Sequence, residues 1–265
     1  LIGDSGSNWL AGGGGSDSLS GGAGNDMLVI DADDLQANIN GGSGFDVVQV
    51  AGDRGVVFNL SEANVEVAKG GRGNDVLIGG GLSNVFISGG DGDDIIIGGA
   101  ADDALSGENG DDLIDGGYGD DILRGHRGKD VLIGGEGDDY LDGGLDDDNL
   151  KGGVGNDLLI GGSGNDVLDG GDGYDVAEFS GTFDEYDVEQ TANGVLVTDK
   201  ISGRNGSALL KNIEAMSFSN IKEVAIDMET PLIVNDVVDI SGTGPFIVLA
   251  SEILANDIDY QDDSL

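Results

Sequence analysis

The sequence predicts an all-β chain: a right-handed parallel β-roll (β-solenoid) of stacked nonapeptide coils with a C-terminal β-rich cap. Three observations carry that expectation. A nine-residue repeat runs through most of the chain, one large apolar residue holds a fixed place in nearly every repeat, and 265 residues include 52 glycines and a formal charge of -41. The composition also excludes function classes. So acidic a surface repels nucleic acid and an anionic membrane leaflet. No run of 18 apolar residues exists to span a bilayer. With no cysteine and one histidine, His126, there is no disulfide framework, no thiolate zinc site, no thiol nucleophile and no two-histidine metal site. Glycine and charge at these levels would by themselves suit a disordered chain. A hydrophobic fraction of 38% is too high for a solvated tail, so the apolar residues must follow a placement rule.

From Gly70 to Glu178 the rule is G-G-x-G-x-D-x-U-x, with U a large apolar residue; twelve consecutive units fit, with Ser88 read as one interrupting residue. Four more units start at Gly3, Gly12, Gly21 and Gly41. Position six reads Asn8, Asp17, Asp26, Asp46, Asp75, Asn84, Asp94, Asp103, Asp112, Asp121, Asp130, Asp139, Asp148, Asp157, Asp166 and Asp175. Position eight is Leu, Ile, Val or Phe, except at Ala177.

Each half of the unit has its own task. The glycines let the backbone reach positive φ, so positions one to six form a turn. Positions seven to nine are a three-residue strand whose middle side chain points inward. Two units make an eighteen-residue coil, and stacked coils give two parallel sheets about 4.8 Å from rung to rung, so the twelve-unit run is a rod roughly 29 Å long. About one buried large side chain per nine residues is too thin a core to offset the entropy of ordering the rest.

Stacking also places Asp112 over Asp130 and Asp121 over Asp139. Carboxylates about 5 Å apart repel by roughly 3 kcal/mol at an effective dielectric near 20. The ladder therefore needs cations. Carboxylate oxygens and turn carbonyls together make an all-oxygen cage that suits Ca²⁺ better than Mg²⁺, and pairing units two apart gives roughly ten such gaps. The candidate ligands are Asp17, Asp26, Asp46, Asp75, Asp94, Asp103, Asp112, Asp121, Asp130, Asp139, Asp148, Asp157, Asp166 and Asp175. Metal binding and folding are then one event.

These units resemble the RTX (repeats-in-toxin) family of calcium-binding, hemolysin-type nonapeptide repeats. The resemblance implies a parallel β-roll with calcium in its turns, passage through a type I secretion apparatus of a Gram-negative bacterium, and folding only in calcium-rich surroundings outside the cell. The departures are local. Asn8 and Asn84 lack the carboxylate, Leu82, Ala101 and Asp146 replace the fourth glycine, and Asp4, Glu108 and His126 replace the second. The turn of Leu82, Ser83 and Asn84 is expected to hold calcium weakly or not at all.

Four parts are expected: residues 1–69 with longer inserted coils, 70–178 as the continuous roll, 179–229 as the cap, and 230–265 as the start of a further β module or an extended tail. Val56 to Leu60 and Val65 to Ala68 alternate apolar with polar residues, as strands of one enlarged coil would. Tyr186 to Gln190 and Val195 to Thr198 flank Asn193-Gly194, a hairpin signal. Leu209, Leu210, Ile213, Met216 and Phe218 can cover the open end of a solenoid. FSGTFDEYDV, GVLVTD and LKNIEAMSF resemble the β-rich cap that follows RTX repeats in secreted bacterial enzymes and toxins. ASEILANDIDYQDDSL resembles the opening of the cadherin-like or Ig-like modules of large bacterial adhesins, with Asp257, Asp259, Asp262 and Asp263 as inter-domain calcium ligands; the alternative is a solvated acidic tail.

The remaining features have plain readings. His126 stands at a glycine position and reads as a solvent-facing substitution. Acid pairs such as Asp138-Asp139 recur in every turn, so one carboxylate for calcium and one for solvent explains them better than a catalytic dyad. Apolar residues at position seven, Trp9 and Tyr140 among them, read as β-propensity with a docking stripe as the alternative. No threonine precedes Thr182, which counts against an ice-binding array. The functional expectation is a non-catalytic, calcium-dependent folding and secretion module of a large extracellular or cell-surface adhesin or toxin, with neighbouring domains and a cell-surface or glycan partner. Its alternative is the non-catalytic part of a secreted protease, lipase or polysaccharide-modifying enzyme.

Overall fold

The computed structural model describes residues 1–81 and 83–226. Leu82 and residues 227–265, with the candidate inter-domain ligands Asp257, Asp259, Asp262 and Asp263, lie outside the described residues. The rest is a parallel β-solenoid, built as the nine-residue period requires. Position eight points inward because alternate residues of a strand face opposite sides. Two columns of these side chains form the core. One column is Leu10, Leu28, Val48, Ala68, Ile87, Leu105, Leu123, Leu141, Leu159, Ala177 and Met216, each in parallel register with the next. The facing column is Phe58, Leu77, Ile96, Ile114, Leu132, Leu150, Leu168 and Leu210. Leu19 and Ile39 pair in a separate two-stranded sheet near the N-terminal end. All but half-buried Leu10 are buried, so the core is two residues wide along its whole length.

The enlarged coil forms where alternation places it, with a corner that alternation does not show. Strand Val57–Asn59 leads into a single helical turn, Leu60–Ala63, and strand Val67–Lys69 follows. Asn59 caps the turn, its Oδ1 accepting the Glu62 N–H at 3.1 Å. Leu60 and Ala63 are buried, so the turn adds apolar contacts that the glycine corners lack.

One register differs from the sequence reading. Ser88 does not interrupt the repeat; it pairs with Lys69 below and Ser106 above, at position nine. The extra residue lies earlier, in the turn that opens at Gly79. Val85 therefore takes position six in place of Asn84, and Ile87 takes position eight in place of Phe86. Burial explains the shift: Ile87 is 2% exposed, whereas Phe86 is 49% exposed and rests edge-on against Phe45.

Beyond Glu178 one more coil is laid down without the G-G-x-G turn. Gly206–Lys211 runs parallel to Gly164–Asp169, and Ala215–Phe218 runs parallel to Val176–Phe179. Antiparallel strands then cover both sheets: Gly194–Asp199 on Gly206–Lys211, and Ile221–Ala225 on Ala215–Phe218. Tyr186–Thr191 completes the expected hairpin, but Thr191 pairs with Gly194, so its loop is Ala192-Asn193 rather than Asn193-Gly194. The cap packs as an ordinary core does. Phe218 stacks on Phe179 at 5.3 Å and meets Phe183 and Tyr186 at 5.1 and 5.3 Å. Arg204 bonds Asp199 at 2.6 Å and lies 5.1 Å from the Tyr186 ring centre.

Candidate metal sites in the turns

Turn geometry explains the second glycine. In most units that residue has a φ near +110°, as Gly117 does at +105° and Gly135 at +120°. Glu108 and His126 stand at the same place and are held at +81° and +78°, the left-handed region that costs a residue with a Cβ roughly 1–2 kcal/mol. Neighbouring coils impose that conformation: Glu108 pairs with Gly90 and His126, and His126 with Gly144.

With the turns so shaped, position six turns inward and forms a ladder. The backbone N–H of each residue donates to Oδ1 of the aspartate one coil further on. One ladder runs Asn8, Asp26, Asp46, Glu66; it restarts as Val85, Asp103, Asp121, Asp139, Asp157, Asp175, Glu214. The facing ladder runs Val56, Asp75, Asp94, Asp112, Asp130, Asp148, Asp166. The Asp112-to-Asp130 bond is 2.8 Å and the Asp121-to-Asp139 bond is 2.8 Å, so these pairs stack as the repeat predicts. Because donors point one way, a first member needs no carboxylate, and Asn8, Val56 and Val85 have none.

The second oxygen is left over. Thirteen candidates, Asp26 through Asp175, are at most 4% exposed. Among the described residues, Oδ2 of Asp26, Asp46, Asp94, Asp112, Asp121, Asp130, Asp139, Asp148, Asp157 and Asp175 is buried with no hydrogen-bond partner. A buried, unpaired carboxylate oxygen is costly to leave so, and here the cost recurs in coil after coil. Asp75 differs, since its Oδ2 accepts the Gly71 N–H at 2.9 Å. Asp17 differs too: it is half-buried, and its N–H goes to Asp34 Oδ1 at 2.7 Å in a short ladder of its own.

The first glycine of each unit marks where these oxygens converge. A Cβ on Gly134 would meet Asp139 Oδ2 and lie 2.7 Å from the Gly152 carbonyl oxygen one coil on; on Gly125 it would meet Asp130 Oδ2 and lie 2.6 Å from the Gly143 carbonyl oxygen. No three His, Asp or Glu side chains converge into a metal-holding group among the described residues. Each space offers one free carboxylate oxygen with main-chain carbonyls, rather than the two free carboxylate oxygens expected, since the N–H ladder occupies Oδ1. An all-oxygen set that carries charge but no nitrogen or sulfur fits a hard cation of calcium's type.

Electrostatics agrees with the orphaned oxygens. Burial, opposed by the donated N–H and reinforced by neighbouring carboxylates, raises Asp94, Asp121, Asp130 and Asp157 to about 7 and Asp148 to about 8. Asp112, Asp139 and Asp166 rise to about 6, and Asp46, Asp103 and Asp175 rise as well, again through burial first. Without a cation, Asp94, Asp121, Asp130, Asp148 and Asp157 hold protons near neutral pH.

Three features escape a reading of the repeat alone. Glu66 and Glu214 end their ladders, accepting the N–H of Asp46 at 2.7 Å and of Asp175 at 2.8 Å. Their signal is an acid two residues before the inward residue, Glu66 before Ala68 and Glu214 before Met216, without the preceding glycines. Position five is not simply solvated. Its exposed side chains form a second ladder of opposite sense, in which Asp120 donates its N–H to Asp102 Oδ1 at 3.0 Å, Asp138 to Asp120 at 2.9 Å and Asn156 to Asp138 at 2.7 Å. Lys129 adds an ion pair to Asp147 at 2.7 Å, which holds that carboxyl down at about 2.

Comparison with known proteins agrees with this geometry. The family profile described as the RTX calcium-binding nonapeptide repeat (4 copies) matches residues 1–34, 63–81, 86–114, 115–150 and 142–177. No curated protein matches the chain. The profile covers more than half of the residues and ends where the glycine turns end, and its repeats carry every ladder aspartate except Asp46. The β-roll is a structural, non-catalytic repeat domain, and the chain belongs to the RTX family of calcium-binding nonapeptide-repeat proteins.

Proposed function

We propose that this chain is a calcium-dependent folding and type I secretion module of a large extracellular adhesin or toxin of a Gram-negative bacterium. The position-six aspartates, Asp17 to Asp175, ligate calcium, and about ten ions are held between coils. The observation that carries the reading is the set of ten buried, unpartnered Oδ2 atoms, nine of them beside a turn carbonyl. Without cations, closing the coils buries charge against charge; at the low calcium of a cytoplasm the glycine-rich chain stays open and can be threaded through an exporter. At the millimolar calcium of external media, each filled site adds on the order of 1 kcal/mol by mass action, and the coils close. The chain itself contributes no catalysis on this reading. His126 and the acid pairs belong to turns, and no helix among the described residues is long and apolar enough to cross a membrane.

Far-UV circular dichroism tests the coupling. The chain should lack most of its β signal in chelator and gain it on adding about 5 mM calcium, a concentration chosen to exceed the millimolar range of extracellular calcium modules. A β signal of full size in chelator would overturn the reading.

A further inference from the structure

Two segments outside the glycine-rich units share one pattern. Asn64-Val65-Glu66-Val67-Ala68 lies in the enlarged coil, and Asn212-Ile213-Glu214-Ala215-Met216 lies in the cap. Their geometries match atom for atom. Asn64 and Asn212 are left-handed, at φ +51° and +46°. The next residue, Val65 or Ile213, is buried, and so is the inward Ala68 or Met216. The N–H groups of Glu66 and Val67 both reach the Asp46 carbonyl, at 3.2 and 3.1 Å; those of Glu214 and Ala215 reach the Asp175 carbonyl at the same two distances. Each Glu then accepts the N–H of that same aspartate through Oε2.

Both segments face an aspartate whose second oxygen is stranded. Asp46 and Asp175 are fully buried, and neither Oδ2 has a partner among the described residues. A Cβ on Gly41 would meet Asp46 Oδ2 at 2.6 Å together with the Asn64 carbonyl oxygen; one on Gly170 would meet Asp175 Oδ2 together with the Asn212 carbonyl oxygen. In the full repeats that carbonyl comes from the first glycine of the next coil, as Gly152 supplies it above Gly134. Three residues, Asn-x-Glu, thus present the oxygens for which the repeat uses a six-residue glycine turn.

We propose that Asn64-x-Glu66 and Asn212-x-Glu214 are glycine-free calcium half-sites, each completing with its Asn carbonyl and Glu carboxylate the last site of a ladder, at Asp46 and at Asp175. The inference rests on calcium filling the turns. Capping the Asp N–H does not by itself require an acid, because a neutral amide oxygen also accepts such a bond, if less strongly. A carboxylate beside a buried, uncompensated carboxylate is unfavourable unless a cation lies between them. The facing ladder supports the contrast, since it ends on Asp166 opposite Ala208, without a Glu and without an unpartnered buried Oδ2.

Calcium counted by equilibrium dialysis on the full chain tests this, with the native sequence beside Glu66→Gln, Glu214→Gln and the exposed control Glu178→Gln. Each ladder-end variant should lose one bound calcium per chain, or bind it at least about tenfold more weakly, the double variant should lose two, and the control none. An unchanged count in the ladder-end variants, with the native chain loaded, overturns the half-sites and leaves the repeat sites standing. A native chain that binds no calcium overturns both. Hydrogen exchange on the native chain is the second measurement, should a variant fail to fold. Protection of residues 212–216 should rise at the same calcium concentration as that of residues 134–139, and protection independent of calcium overturns the proposal.

Discussion

The roll and its cap bury comparable kinds of apolar residue but handle their polar groups in opposite ways. In the roll, most coils contribute a Leu or Ile to a core two residues wide and then bury an aspartate Oδ2 that has no hydrogen-bond partner among the described residues. In the cap, Phe179, Phe183, Tyr186 and Phe218 gather into one cluster, and the charges beside them are matched, with Arg204 bonded to both Asp199 and Glu185. The cap is assembled as self-sufficient domains are; the roll stacks buried carboxyls of like charge coil upon coil. A repeat of nine residues has room for one core side chain, so the remaining cohesion must come from what sits in the turns.

Chelation should break that comparison most sharply. With calcium removed, hydrogen exchange over residues 89–178 should lose protection by several orders of magnitude, while the hairpin Tyr186–Thr191 with Gly194–Asp199 keeps a measurable part of its own; equal loss in both regions would erase the distinction. Truncation comes next. Phe218→Ala should cost about 3–5 kcal/mol in calcium-saturated denaturant unfolding, by emptying the cap's aromatic cluster, and Leu132→Ala about 2–5 kcal/mol. Only Leu132→Ala should also raise the calcium concentration needed for folding of the roll coils, as read by exchange within residues 113–150.

Proton linkage should split the calcium-free and calcium-loaded states. In the calcium-free chain eight ladder carboxyls, Asp94, Asp112, Asp121, Asp130, Asp139, Asp148, Asp157 and Asp166, are raised from about 4 when unfolded to about 6–8 when folded, so the folded state binds more protons. Their contribution is fully present below about pH 4 and is lost as pH rises through about 6 to 8. With calcium the sign inverts, because the ion competes with those protons: the calcium midpoint should fall as pH rises over the same window. A midpoint independent of pH between about 5 and 8 would mean that the ladder carboxylates are not the ligands. The smallest effect is local: His126→Gly, relieving a left-handed residue, should stabilise the loaded roll by up to about 1–2 kcal/mol in the same unfolding experiment.

Much of this was legible in the residues. Period nine, glycine at one, two and four and a large residue at eight place Asp112 over Asp130 and Leu132 over Leu150, because every coil repeats the one below and a single pairing rule serves the whole run. The rule failed where the chain changes length within a coil. Around Gly79 to Ser88 two registers were compatible with the letters, and only the choice between burying Ile87 and burying Phe86 decided between them. Hydrogen-bond direction was likewise invisible: the opposed ladders at positions five and six depend on where each N–H points after the turn has closed.

Sequence by itself determined the solenoid, its period, its inward columns and the ladder aspartates, since these follow from local periodicity and need no knowledge of distant residues. Tertiary structure alone decided which carboxylate oxygen is spent on an N–H and which is buried without a partner among the described residues. It also decided that Glu66 and Glu214, far apart and outside the glycine pattern, end their ladders in the same way. Those outcomes depend on backbone groups one coil away, and a stack brings such groups together only after it has closed.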